Sequence, residues 1–177
     1  MRILGVDPGS VITGWGLVSG DPRRPRLLES GVIRLGTTAD FPSRLARLQR
    51  ELTDVVDRVR PDQAAVESPF HGKSARSALQ LAHARGVVLA VLAASGIEVT
   101  EYSPASVKKS VTGRGRAEKS QVRAMVAQLI APAVVRGPED LSDAVAVALC
   151  HGATAGYRAA ISRVRVVAPQ RRRETDP

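Results

Sequence analysis

The stretch Arg2-Ile3-Leu4-Gly5-Val6-Asp7-Pro8-Gly9, followed by Ser10-Val11-Ile12-Thr13-Gly14-Trp15-Gly16-Leu17-Val18, decides how this chain reads. Ile3, Leu4 and Val6 form an apolar run too short for a helix and closed by Pro-Gly, the pattern of a buried strand. Asp7 falls at the end of that strand. Gly9, Gly14 and Gly16 read as the residues that let the chain turn tightly and return as a second, antiparallel strand. A carboxylate on a central strand is costly to desolvate unless a cation compensates it. Taken alone, Asp7 has two readings, a cap on the Pro-Gly turn or an anchor for a metal ion, and the rest of the chain has to separate them.

Beyond the polar link Asp21-Pro22-Arg23-Arg24-Pro25, residues Leu27 to Leu35 read as a third strand of a meander, with Gly31 as the expected site of a bulge. From Pro42 the period changes. Leu45, Leu48, Leu52, Val55 and Val59 recur at three- and four-residue steps, which is an amphipathic helix stopped by Pro61. Gln63 to Glu67 is a short buried strand that again ends on a carboxylate. A long Ala- and Leu-rich helix is expected over roughly Ser74 to Ala94, then a strand over Ile97 to Tyr102. Pro104 to Val111 reads as a short helix and Ala117 to Ile130 as another. The last opens at Pro138 and runs to about Ala155. A meander followed by crossover units implies an α/β fold, a mixed sheet with helices on its faces. The expected division is one domain over 1–156 and a basic, flexible tail over 157–177.

The totals narrow the function. The 177 residues suit one domain with a proper core, at 44% hydrophobic and 24% charged. A net charge of +9 points to a polyanionic partner, most often nucleic acid. The single cysteine, Cys150, excludes an internal disulfide framework and fits a reducing cytoplasm, and its apolar neighbours make it a packed thiol. No signal sequence is read at the N-terminus, and no apolar run is read as approaching membrane-spanning length.

Asp7 and Glu67 end two strands, while Asp140 and Asp143 are three residues apart at the start of the last helix, on one face. That face continues through Ala144 and Val147, so it turns inward. First-turn acids are usually caps or dipole partners, and one alone would signify little. Two strand-end acids and an inward-facing pair in a chain this basic point to a metal site. Oxygen-only ligands select Mg²⁺ or Mn²⁺. Two such ions about 3.5–4 Å apart can activate water and stabilise the leaving oxygen of a phosphodiester.

Asp7-Pro8-Gly9 with Thr13-Gly14-Trp15-Gly16, Val66-Glu67, the segment Ser77 to Val87, Ala117 to Val122 and Asp140-Leu141-Ser142-Asp143-Ala144 together resemble the RuvC family of Holliday junction resolvases. The likeness runs in order over roughly Met1 to Gly156. It implies a ribonuclease-H-like fold with a five-stranded mixed sheet. It also implies a Mg²⁺-dependent crossover junction endodeoxyribonuclease, a homodimer that nicks two like-polarity strands of four-way junction DNA in recombination and repair. By motif, Asp7, Glu67, Asp140 and Asp143 match the metal-binding acids, and Lys119 and Lys108 match basic groups at the DNA. The branch-migration proteins RuvA and RuvB are partners implied by the resemblance alone.

Lys108, Lys109, Arg114, Arg116, Lys119 and Arg123 cluster around Gly113 and Gly115. This is either a solvated helix face or a phosphate-contacting loop, and the density beside glycines favours the latter. Lys119 is expected to steady charge at the scissile phosphate. A Walker loop is excluded, because Glu118 occupies the position of the glycine before Lys119. Phe70, in a chain only 3% aromatic, follows Glu67 by three residues and matches a family aromatic that stacks on a junction base. His71 is a possible DNA contact, whereas His83 and His151 read as packed or surface helix residues. A sugar-kinase-like phosphotransferase also ends its first strand in Asp-x-Gly, but it needs a second lobe that 177 residues do not accommodate. A non-catalytic junction-binding module is the other alternative, and the complete acidic set argues against it.

Overall fold

The computed structural model describes residues 1–19, 24–68, 74–130 and 139–166, with side chains of the last segment described over 140–155. The elements run β1 (Arg2–Asp7), β2 (Ile12–Ser19), β3 (Leu27–Arg34), α1 (Phe41–Val59), β4 (Gln63–Glu67), α2 (Ala75–Ala94), β5 (Glu98–Tyr102), α3 (Pro104–Thr112), α4 (Lys119–Leu129) and α5 (Glu139–Val166). The sheet has the order β3-β2-β1-β4-β5. β1 is antiparallel to β2 and β2 to β3, whereas β1, β4 and β5 are parallel. This is the expected mixed five-stranded sheet. Phe70 and His71, and Pro138 at the expected helix start, lie outside the described residues.

Strand alternation sorts the core into two halves. Leu4, Val6, Trp15, Leu17, Ile33, Ala64 and Val66 pack with α1 and α2. Ile3, Val18 and Ala65 pack with α3, α4 and α5. Asp40 caps α1 by accepting from the Ser43 N–H at 2.9 Å, and Arg60 ends it in the left-handed region at φ 40°. Leu48, Leu52, Val55, Val56 and Val59 form its buried stripe.

Three expectations change. Gly14 and Gly16 do not form the turn, because β2 already begins at Ile12. The turn is closed by buried Thr13, whose hydroxyl donates to the Gly9 carbonyl at 3.1 Å and accepts from the Gly9 N–H at 3.2 Å. The glycines serve instead as a track for α5. A Cβ on Gly5 would lie 2.0 Å from the Ala144 carbonyl oxygen, and one on Gly14 would lie 2.0 Å from that of Asp140. A Cβ on Gly16 would meet Val145 Cγ2 at 2.6 Å. Backbone therefore lies directly on backbone. The β2–β3 register shifts between Leu17 and Val18 rather than at Gly31, which is bare because the Trp15 ring covers it, 2.8 Å from where a Cβ would stand. The last helix does not stop near Ala155 but continues to Val166, so the first ten residues of the expected tail are helical.

A fourth correction concerns α2. With 20 residues and a mean hydropathy of 1.5, it is long and apolar enough to cross a membrane by length and composition. It is apolar on two sides. Ala84, Val88, Val91 and Leu92 are buried in the core, while Leu79, Ala82, Gly86 and Ala90 lie exposed in a stripe.

The track yields a stability test. Gly5→Ala has to displace α5 backbone and is expected to cost about 3 kcal/mol or more, the upper range for overpacking. Gly152→Ala, whose Cβ would sit an ordinary 3.4 Å from Ile3 Cδ1, is expected to be neutral or stabilising by up to about 1 kcal/mol through helix propensity. Denaturant titration of both variants checks this, and equal effects would refute the track.

Candidate active site

β1 and β4 are parallel neighbours with Val6 level with Val66, so the next residues, Asp7 and Glu67, emerge side by side at the carboxyl ends of the strands. Alternation turns both toward the α5 face. Across β1, Asp7 is registered with Gly14, and Gly14 is where the Asp140 backbone touches the sheet. The contact that seats α5 thus brings its first turn to the strand-end acids. Asp143 follows on the same helical face, next to fully buried Ala144.

Asp7, Glu67, Asp143, Lys108 and Lys119 line one cleft with Pro104, Val107, Val122 and Ala146. Asp140 is not part of that lining, yet its charge acts on Asp7. Burial pushes the Asp7 carboxyl up to about 8, with Glu67, Asp143 and Asp140 adding to the rise and Lys119 opposing it. Burial raises Glu67 as well, followed by Asp143, with Lys119, Lys108 and a hydrogen bond to Asp7 acting in the other direction. These acids are too crowded to be charged together without a cation.

Lys119 reaches the cleft from the first position of α4. Glu118 caps that helix, its backbone N–H bonded to Gln121 Oε1 at 3.0 Å. The residue that breaks the Walker pattern is therefore a capping residue. Lys119 Nζ donates to Asp143 Oδ2 at 3.1 Å, but its side chain is 70% exposed. A pair this wet is worth about 0–1 kcal/mol, so Asp143 is readily released to a stronger cation. Lys109, Arg114 and Arg116 are exposed on α3 and the following loop, outside the cleft. Gly113 lets that loop turn at φ 77°.

Among the described residues no three acids stand close enough to form a ready-made ion cage. The donor set nonetheless fits a hard divalent cation. All its donors are carboxylate oxygens, and the crowding that raises Asp7 is what such a cation relieves.

Sequence reasoning missed two features. Arg85 of α2 lines a recess with Asp7, Pro8, Glu67 and Ser68 and pairs with Glu101 of β5. In sequence it looks like any helix arginine, and only the fold brings α2 over the crest. His151, read as a packed or surface residue, is indeed packed, but the sequence did not show that it is bonded on both ring nitrogens. His83, by contrast, is an exposed helix residue as expected, with Nδ1 2.8 Å from the Leu79 carbonyl.

The chain matches the family of crossover junction endodeoxyribonuclease RuvC over residues 3–151. It is 43% identical over 173 residues to the protein of that name from Sorangium cellulosum, spanning 98% of this chain and 96% of the relative. With the one from Pelotomaculum thermopropionicum it shares 45% identity over 151 residues, 85% of this chain and 92% of the relative. The solved T. thermophilus RuvC in complex with a Holliday junction substrate superposes at TM-score 0.79 and 29% identity, covering 89% of this chain and 96% of that one. The yeast mitochondrial Holliday junction resolvase shares the fold, at TM-score 0.68 and 16% identity over 92% of this chain and 86% of that one. With the strand-end acids, the α5 pair and Lys119 all lying inside the matched span, the chain belongs to the RuvC family of crossover junction endodeoxyribonucleases.

Proposed function

We propose that this protein cuts four-way DNA junctions by paired nicks in two strands of like polarity, using one carboxylate cleft per subunit of a homodimer. The observation that carries the reading is the meeting of Asp7, Glu67 and Asp143 in a cleft rimmed by Lys108 and Lys119, with the charge of Asp140 acting on Asp7. Asp7, Glu67, Asp140 and Asp143 would hold Mg²⁺, or Mn²⁺ in its place, two ions per cleft. When bound, the metal supplies an activated water and charge stabilisation for the leaving oxygen. Lys119 exchanges Asp143 for the scissile phosphate and steadies its charge, and Lys108 holds the phosphate from the other wall. Lys109, Arg114 and Arg116 grip the flanking backbone, where position rather than sequence is read. Phe70 stacks on a base at the crossover. The domain spans 1–156, with α5 running on beyond it to Val166, and the protein works in the cytoplasm with a RuvA–RuvB branch-migration complex.

Two like-polarity strands of a junction are related by a two-fold axis, so an isologous dimer presents one cleft to each. The exposed stripe Leu79, Ala82, Gly86 and Ala90 on α2 suits that contact: Leu79 is 60% exposed, and a Cβ on Gly86 would meet nothing within 4 Å among the described residues. Gly86→Ala is expected to strengthen the helix by about 1 kcal/mol within a subunit. In sedimentation it should weaken the dimer at least tenfold, because the added methyl holds two helices apart. An unaltered dimer would place the contact elsewhere.

Cleavage of a synthetic four-way junction with Mg²⁺, against a chelator control, tests the activity. Asp7→Asn and Glu67→Gln should each lose at least 100-fold in cleavage while binding the junction within about threefold of the unchanged protein, because the basic surface is intact. Variants that still cut at the original rate would remove these acids from the site. The same acids set a pH dependence. The folded value of Asp7, about 8, lies above its ordinary 3.8, so the folded chain keeps a proton that the unfolded chain releases. Glu67 is shifted in the same direction. Their effect is absent below about pH 4, and stability falls as pH rises toward 8, by up to about 1.4 kcal/mol per unit for one proton. Melting in chelator should show that fall, Asp7→Asn should flatten it, and millimolar Mg²⁺ should reverse it.

A further inference from the structure

The proposed catalytic set is divided between two bodies. Asp7 and Glu67 stand on the sheet, and Asp140 and Asp143 stand on α5. The seat between the bodies is smooth, with Gly5, Gly14 and Gly16 beneath Ala144, Val145 and Ala148. The glycine track sets where the first turn of α5 meets the sheet, but small apolar surfaces resist a slight rotation or slide of the helix only weakly, since dispersion is not directional. A directional contact fixes both more sharply.

That contact is supplied by His151. It is 5% exposed and lies eight residues after Asp143, about 12 Å along the same helix. Its Nε2 is 3.0 Å from Gln63 Oε1, at the start of β4. Its Nδ1 is 3.0 Å from the Tyr102 hydroxyl, at the end of β5. Gln63 is four residues before Glu67 on the same strand face, and Tyr102 is the register partner of Glu67. One imidazole thus ties the start of β4, which presents Glu67, to the β5 residue that pairs with Glu67. It does so from the helix that presents Asp143.

The direction of every proton in this chain follows from its exposed end. Gln63 Nε2 donates to Glu98 Oε2 at 3.0 Å, and a carboxylate can only accept, so Gln63 must turn Oε1 to the histidine. His151 therefore carries its proton on Nε2 and donates it to Gln63. In the neutral ring Nδ1 carries no proton and accepts from the Tyr102 hydroxyl. The Tyr102 and His151 rings meet edge to face at 5.8 Å and 73°, which limits rotation of the imidazole. Ser68 N–H donates to the Tyr102 carbonyl at 2.8 Å, so the same tyrosine also ties down the residue after Glu67.

We propose that His151, locked as the Nε2–H tautomer between Gln63 and Tyr102, is a positioning residue that sets α5 against β4 and β5 and so brings Asp143 to Glu67. It touches neither substrate nor metal. This inference rests on the nuclease reading, because the effect it has on rate is expressed through those two acids. Misplacing a catalytic group by about 1 Å costs roughly 100-fold in rate, so the effect is measurable even where the fold survives.

His151→Gln keeps an N–H at the Nε2 position for Gln63 but places no acceptor where Nδ1 meets Tyr102, while Tyr102→Phe removes the same bond from the other side. Single-turnover cleavage of a four-way junction at saturating protein should fall 10- to 100-fold in each, with the junction dissociation constant within twofold. The double variant should be no more than about twofold slower than the worse single one, since both break one link. Leu52→Ala, in the opposite half of the core, serves as a control for loss of stability. It should melt at least as low as His151→Gln and still cut within threefold of the unchanged protein. Nitrogen-15 NMR of the unchanged protein should show His151 protonated on Nε2, and Glu98→Ala, at an exposed position, should weaken that preference. Equal rate loss in Leu52→Ala, an unaltered rate in His151→Gln, or a proton on Nδ1 would each overturn the proposal. If the unchanged protein did not cut junctions at all, the nuclease reading would fail, and the ring tautomer would still decide whether His151 is the directed bridge described here.

Discussion

The contact on which this structure depends is backbone against backbone. α5 lies on β1 and β2 where Gly5, Gly14 and Gly16 leave no side chain between them. The helix could not lie this close over any other residue type, because a Cβ at any of the three positions would fall within 2.0 to 2.6 Å of helix atoms. The consequence for function is direct. The Asp140 backbone touches Gly14, Gly14 is level with Asp7, and so an acidic first turn is delivered to an acidic strand end.

That delivery works against stability. Burial and three neighbouring acids raise Asp7 to about 8, and one largely hydrated lysine offsets only part of the strain. The fold withstands this because two apolar half-cores, one on each side of the sheet, hold the elements independently of the cleft. Stability is built below the crest, while the crest carries charge repulsion that a bound cation and a phosphate would relieve. Such a division is common where a site must bind charge strongly.

The two helical layers have different tasks. α3, α4 and α5 carry Lys108, Lys119 and Asp143 around the cleft. α1 and α2 close the opposite core, and α2 then leaves an apolar stripe facing outward. Arg85 ties α2 to β5, since it pairs with Glu101, and it lines a recess beside Asp7 and Glu67. The helix proposed to meet a second subunit is thus only one side chain away from the strand ends that carry Asp7 and Glu67.

Local pattern was enough for much of this. The apolar run before Asp7, the five-residue strand ending at Glu67, the 3.6-residue period from Leu45 to Val59 and the acid spacing at 140 and 143 are short-range signals, and each element formed where its pattern placed it. The motifs also carried the family, because they are contiguous. What a pattern could not carry was contact between distant residues. Gly14 looks like a turn residue until α5 is laid on it. Gly31 looks like a bulge until Trp15 covers it, and which side of the Ala- and Leu-rich α2 is buried and which is exposed is seen only once it packs. His151 looks like filler because Gln63 and Tyr102, its hydrogen-bonding partners, lie 88 and 49 residues away in sequence. Sequence alone determined which residues are acidic, which are apolar and at what period. Which of them meet was decided by the tertiary structure, since the close approach of backbones and the direction of a hydrogen bond exist only once distant segments are packed together.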